Sequence, residues 1–257
     1  MDIDLNSDIG EGFGAYTLGD DAGLLKIISS ANVACGFHAG DPVIMDKTVR
    51  LALAQGVDLG AHVGFPDLMG FGRRPMHCDP AEVAMYVLYQ LGALAGLASV
   101  AGGRITHMSF HGALGNMAAA DYALAEPLVR TVAEFNPDMI ISVSTNTQIE
   151  RAARQFGLKV ATTFLADRAY TDEGDLVPRK LPGAVIKDQS MVLERVKRLL
   201  DDGVITSING KKLAIQVQSI LLHGDTPGAV ENALAIRHEI EAGNGHIVPI
   251  SRMKQLN

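Results

Sequence analysis

Asp4-Leu5-Asn6-Ser7-Asp8-Ile9-Gly10-Glu11-Gly12-Phe13-Gly14 puts three carboxylates, one amide and three glycines into eleven residues near the start of the chain. Ile3 to Leu5 reads as a short strand running into a polar, glycine-rich tip. At such a tip the backbone can approach a ligand closely, because no Cβ intervenes. A plainer reading lets the acids cap a following helix and the glycines turn the chain. The two readings separate on whether the same form recurs further along.

It recurs. The apolar runs Ala31 to Cys35, Val57 to Ala61, Ile105 to Phe110, Met139 to Val143, Lys159 to Phe164 and Ala214 to Leu222 each end in a polar tip, and helix-starting signals follow most of them. Asp41-Pro42 and Asp79-Pro80 place a capping aspartate before a proline at the first helical position, where no N–H is needed. Asp121 opens a helix to Phe135, and Thr226-Pro227 one over Ala229 to Ala242. Asn209-Gly210 marks a turn. Tyr170 to Gln189, rich in proline, glycine and charge, reads as a functional loop or lid. About seven βα units in 257 residues predict a single β/α barrel domain over 1–257, closed and parallel. Ligands of such folds sit at the carboxyl ends of the strands.

Hydrophobic residues make up 47% and charged residues 20% of the chain, the profile of a packed enzyme-like protein. The formal charge of −7 gives no footprint for nucleic acid or anionic lipid. The expected partner is therefore a small molecule or another protein, with no nucleic acid and no membrane. Val83 to Val100 is expected to be a buried helix rather than a membrane span. Two cysteines, Cys35 and Cys78, are too few for a disulfide framework, and Met-Asp-Ile-Asp shows no signal-peptide pattern, so a cytoplasmic location is expected.

His38, His62, His111 and His223, four of the eight histidines, each fall just after an apolar run. The strands should deliver them to one rim, facing Asp4, Asn6 and Asp8 at the start of the chain and Asp225 near its end. An acid and two histidines suffice for a divalent ion that activates water. The same groups suit metal-free acid/base chemistry. No His-Glu-x-x-His or Cys-x-x-Cys spacing decides between them, so a divalent metal stays open and no residue is assigned as its ligand. Phosphate loops are incomplete: Ile205 stands where a P-loop before Gly210-Lys211 needs its first glycine. The opening tip, Gly12 included, could still present N–H groups to an anion. Arg73, Arg74, Arg168 and Arg179 could grip a carboxylate or phosphate bidentately. Cys35 reads as a small packed thiol.

Taken together and in order, Asp4 to Gly14, Ala31 to Pro42 (ANVACGFHAGDP), Gly60 to Arg74 (GAHVGFPDLMGFGRR), His111 to Ala119 (HGALGNMAA), Ala166 to Arg179 and His223 to Pro227 (HGDTP) resemble the LamB/YcsF family. The resemblance implies an irregular seven-stranded parallel β/α barrel similar to polysaccharide deacetylases. It implies the activity of the A component of a three-component 5-oxoprolinase, which opens the lactam of 5-oxoproline to L-glutamate with ATP hydrolysis. ATP is then the expected cofactor, a lactam the small-molecule substrate, and two further 5-oxoprolinase subunits the partners. Asp8, His38, His62, His111, His223 and Asp225 fall in the matching motifs and should line the pocket. From their chemistry, Asp8, His38, His62 and His111 are the catalytic candidates. Asn6, Gly12, Arg73, Arg168, His223 and Asp225 are the candidates for holding substrate. The family usually has Lys-Pro-His-Gly-Ala-Leu-Tyr where this chain has Ser109-Phe110-His111-Gly112-Ala113-Leu114-Gly115, so a cation and a tyrosine are replaced. Three alternatives stay open: another lactam or cyclic amide as substrate, a metal-dependent deacetylase-like hydrolase using Asp8 and two histidines, and a non-catalytic binding subunit.

Overall fold

Strand alternation in the opening segment sets the architecture. The computed structural model describes residues 1–256, so Asn257, the last residue of the expected unit, lies outside the described residues. Strand β1 (Asp2–Ile9) is longer than the sequence signals suggest and is buried on both faces from Ile3 onward. Ile3, Leu5 and Ile9 join the main apolar core, whereas Asp4, Asn6 and Asp8 share the opposite face by the two-residue period of a strand. The barrel interior is therefore polar along β1, and the apolar core lies between barrel and helices.

The remaining elements follow in order: α1 (Asp21–Leu24), β2 (Ser30–Ala34), α2 (Pro42–Ala54), β3 (Asp58–Val63), α3 (Pro80–Val100), β4 (Ile105–Phe110), α4 (Gly112–Ala120), α5 (Tyr122–Phe135), β5 (Ile140–Val143), α6 (Gln148–Gln155), β6 (Lys159–Leu165), α7 (Gln189–Asp202), β7 (Val204–Thr206), β8 (Lys212–Ala214), β9 (Ser219–Leu222), α8 (Ala229–Ala242) and β10 (His246–Ile247). Strands β1-β2-β3-β4-β5-β6-β9 pair in that order, and β9 returns to β1, closing a seven-stranded barrel. Every pairing around the ring is parallel. The short β10 braces the start of β1, and β7 and β8 form a separate antiparallel hairpin with Asn209-Gly210 in its turn.

Local chemistry explains the helix starts. The Asp41 carboxylate accepts from the N–H groups of Val43 and Ile44, and Asp79 from that of Ala81, each with proline next in the chain. Such caps are worth about 1 kcal/mol apiece. Three expectations need correction. The last barrel strand starts at Ser219 rather than Ala214, because Lys212–Ala214 belongs to the hairpin. Gly228, not Thr226, occupies the cap of α8. Helix α3 is only partly buried: Val83, Val87, Leu91 and Leu94 pack inward, while Met85, Tyr89 and Val100 are exposed. By length and composition alone it is also the one described helix apolar enough to cross a membrane.

Candidate active site

The carboxyl ends of β1, β2, β3 and β4 converge on Glu11, His38, His62 and His111, all buried. One donor atom from each lies within 4.8 Å of the others. Imidazole rings of His38 and His111 stack at 3.7 Å, and the His62 ring stands edge-on to both. His111 Nδ1 is 2.9 Å from His62 Nε2, and His111 Nε2 donates to the Phe71 carbonyl at 2.8 Å. His62 Nδ1 meets the Ser109 hydroxyl at 2.7 Å. Asp8 sits beside this group, with Oδ2 3.5 Å from His62 Nε2 and Oδ1 accepting from the Asn32 amide at 2.9 Å.

The loop after β3 presses onto the rings. A Cβ on Gly72 would lie 2.6 Å from His38 Cβ and 2.8 Å from His111 Cδ2, so only glycine lets the backbone lie this close. Its neighbour Phe71 is held at φ 53°, a left-handed conformation that a bulky residue adopts only under constraint. That constraint aims the Phe71 carbonyl at His111. Further out, Arg73 lies over the Phe71 ring and donates to Asp225 at 2.7 Å, joining the loops after β3 and β9 across the mouth.

Burial governs the charge states. It pushes His38 and His111 well below the ordinary imidazole value, with the neighbouring rings adding to the effect. His62 is also lowered by burial, against the opposing pull of Asp8. The three rings are neutral near pH 7, so their contacts with Glu11 and Asp8 are not ion pairs. Glu11 is raised well above the ordinary carboxyl value, first by burial and then by Asp8 and Asp225. Glu11 Oε1 and both His38 ring nitrogens have no hydrogen-bond partner, although Glu11 Oε1 is 3.4 Å from His38 Nε2. Unpartnered buried atoms converging with neutral imidazoles fit a divalent cation, and this cluster could hold one.

Among the sequence candidates, Asp8, His38, His62 and His111 are brought together, and Arg73 and Asp225 meet at the mouth. His223 pairs instead with Asp167, its Nδ1 2.9 Å from a carboxylate oxygen. Burial alone would raise Asp167, but His223 outweighs it and holds the carboxyl below its ordinary value. Asn6 is fully buried in the barrel with neither side-chain amide atom partnered. Gly12 contributes its carbonyl to the N–H of Gly40 at 2.8 Å, tying the β1 tip to the loop after β2. Arg168 is committed inside the 170–189 loop, donating to the carbonyls of Val177 and Ala184. Arg179, within that loop, is lowered by burial and by Arg73, against the opposing pull of Asp225, Asp167 and Asp8. Glu11 is visible in the opening stretch as one of three acids, yet nothing in its spacing separates it from a turn residue. Asn32 is hidden inside an apolar run.

A closed parallel barrel with carboxylate and imidazole groups at its strand ends defines the class, and the barrel is shared with a polysaccharide deacetylase from Bacillus cereus, at a TM-score of 0.51 and 12% identity over 100% of this chain and 93% of that one. That likeness is one of fold. More particularly, the chain belongs to the LamB/YcsF family, whose profile matches residues 3–255. A Pseudomonas syringae pv. tomato protein named as a 5-oxoprolinase A subunit is 64% identical, covering 98% of this chain and 99% of its own. One from Ralstonia nicotianae, named in the same way, is 60% identical over 98% and 97%. The crystal structure of a lactam utilization protein from Thermus thermophilus matches at a TM-score of 0.92 and 39% identity, over 97% of this chain and all of that one.

Proposed function

We propose that this chain is the A subunit of an ATP-dependent 5-oxoprolinase, and that the mouth of its barrel hydrolyses the lactam of 5-oxoproline to L-glutamate. The end-to-end likeness to relatives bearing that name supports the assignment. The observation that carries the site is the facing pair Glu11 and His38, buried and unpartnered at 3.4 Å.

An unstrained amide resists water because resonance protects its carbonyl. Phosphorylation of the amide oxygen by ATP, with two further subunits taking part, removes that protection. His38, neutral with its lone pair uncommitted, takes the proton of the attacking water. Glu11, whose burial favours the protonated carboxyl, delivers a proton to the ring nitrogen as the C–N bond breaks, leaving a γ-glutamyl phosphate that a second water cleaves to L-glutamate and inorganic phosphate. Asp8, fixed by Asn32, orients His62. Arg73 can leave Asp225 for the substrate carboxylate, with Arg179 beside it. If a divalent cation occupied Glu11, His38, His62 and His111 instead, those four would be its ligands and not the acid and base, and the cation would polarise the carbonyl and acidify water. The cytoplasmic location is part of the same proposal, in keeping with two unpaired cysteines.

The test is glutamate release from 5-oxoproline and ATP by the chain assembled with its partner subunits. His38→Ala is expected to lower turnover by about 10²–10⁴-fold, the usual worth of a positioned base. Full turnover by folded, assembled His38→Ala and Glu11→Gln variants would sink the assignment. Elemental analysis of the purified chain decides the metal.

A further inference from the structure

The hydrogen bonds among the histidines have a direction, set at one end by the Phe71 carbonyl and met at the other by Ser109. The Phe71 carbonyl can only accept, so His111 Nε2 carries a proton. In a neutral ring this leaves His111 Nδ1 bare, facing His62 Nε2 at 2.9 Å. Two imidazole nitrogens this close cannot both carry protons or both lack them, so His62 Nε2 is the donor. His62 Nδ1 is then bare, and the group 2.7 Å away from it is the Ser109 hydroxyl. Ser109 must donate. The chain of donation runs Ser109 to His62 to His111 to Phe71, and each member occupies a buried position or is main chain.

A hydroxyl both donates and accepts, which no alkyl or ammonium group in its place could do. We propose that Ser109 is the positioning residue that lets His62 take either tautomer with its Nδ1 partnered. It donates to Nδ1 when the cluster is metal-free and accepts from Nδ1–H when His62 turns its Nε2 lone pair to a divalent cation. The second half rests on the Glu11-His38-His62-His111 cluster as a cation site; the first half does not. A histidine that ligates through one nitrogen needs an acceptor for the proton on the other, and such partners govern affinity. Rotation of one hydroxyl supplies that acceptor without moving the backbone of β3 or β4.

The experiment uses the full chain labelled with ¹⁵N-histidine, chelated, at pH 7.5, with ring signals of His62 assigned against His62→Gln. Long-range ¹H–¹⁵N spectra should show His62 protonated at Nε2 and hydrogen-bonded at a bare Nδ1. In Ser109→Ala the proton should stay on Nε2 while the Nδ1 signal shifts toward that of an unbonded nitrogen, whereas Ser109→Thr should keep the wild-type pattern. Adding Zn²⁺ to the wild type should move the proton to Nδ1, and Ser109→Ala should bind Zn²⁺ about 10-fold more weakly. Circular dichroism confirms that each variant is folded, and Ser109→Val replaces Ser109→Ala if the alanine variant is not. A proton on Nδ1 in the chelated wild type, or matching His62 spectra for Ser109→Ala and Ser109→Thr, overturns the role of Ser109 without touching the cation site. The expected metal-free tautomer in a chain that binds no Zn²⁺ overturns the reversal and the cation site together.

Discussion

Asp4 and Glu11 belong to the same strand and its tip, and both carboxyl groups are shut away from solvent. Burial raises both, Asp4 to about 6 and Glu11 well above its ordinary value. Their surroundings differ. Asp4 accepts from the hydroxyls of Ser29 at 2.7 Å and Ser219 at 2.6 Å, which tie β1 to the start of β2 and to β9 where the barrel closes. Glu11 Oε1 accepts from nothing, with His38 and His111 nearby at 3.4 and 3.7 Å. A buried carboxylate with a complete shell is part of the frame. One whose shell is left open carries a desolvation penalty that a ligand can relieve.

Replacing each acid should separate the two roles, and the larger effect belongs to Glu11. Glu11→Gln keeps the shape and cannot deliver a proton, so turnover should fall by about 10²-fold or more. Thermal stability should hold or rise, because the substitution removes a carboxyl that burial disfavours. Glutamate release and differential scanning calorimetry measure the two quantities side by side. Intact turnover with a lowered Tm would make Glu11 a second Asp4 and erase the distinction.

Asp4 should show the reverse. Because its folded pKa, about 6, lies above the ordinary 3.8, the folded state holds the proton more tightly than the unfolded chain. Its contribution is therefore fully present below the unfolded value and is lost as pH rises through about 6. The whole effect is about 3 kcal/mol, of which about 1.4 kcal/mol is lost between pH 5 and pH 8. For a chain this long that is a fall in Tm of roughly 3–6 °C. Asp4→Asn keeps an acceptor for one of the two serines and does not titrate, so the difference in Tm between wild type and variant should shrink or reverse over that interval. A difference independent of pH would show that Asp4 keeps an ordinary pKa. Turnover per folded molecule should change little, since Asp4 lies toward the start of β1 and the cluster lies beyond its end.

The frame is largely legible because its signals are local. Asp41-Pro42 and Asp79-Pro80 mark helix starts within two residues, and apolar runs mark strands. Helix α4 escapes the sequence reading because it follows His111 directly, has no side-chain cap and is built of glycine, alanine and a few larger residues. The histidines are legible as site residues because a parallel barrel delivers every strand end to one rim. Glu11 is not, since it lies beyond the strand and its direction depends on how the tip folds back on the loop after β2. The arginines show the same limit: Arg168 and Arg179 share a loop, and only tertiary contacts commit the first to carbonyl oxygens and bring the second to the acids at the mouth. Side-chain partners distant in sequence leave no spacing to read.

Cys35 extends the contrast to its least consequential case. It lies three residues before His38, close enough to the cluster to invite a nucleophilic role, yet its surroundings are closed like those of Asp4. Its thiol donates to the Val33 carbonyl at 3.1 Å, and burial pushes it up to about 12 against a weaker opposing contact near His62. At pH 8 the thiolate is then roughly one part in 10⁴, too little for ordinary alkylation, and the side chain is 2% exposed. In the native chain a thiol reagent should modify Cys78 alone, with Cys35 reacting only after unfolding; mass mapping of the labelled peptides reads this directly. Cys35→Ala should leave turnover within about twofold and lower stability by about 1 kcal/mol, the cost of a small buried group. Rapid native labelling of Cys35 would mean that the end of β2 opens to solvent, and the sealed environment invoked for His38 and Glu11 would have to open with it.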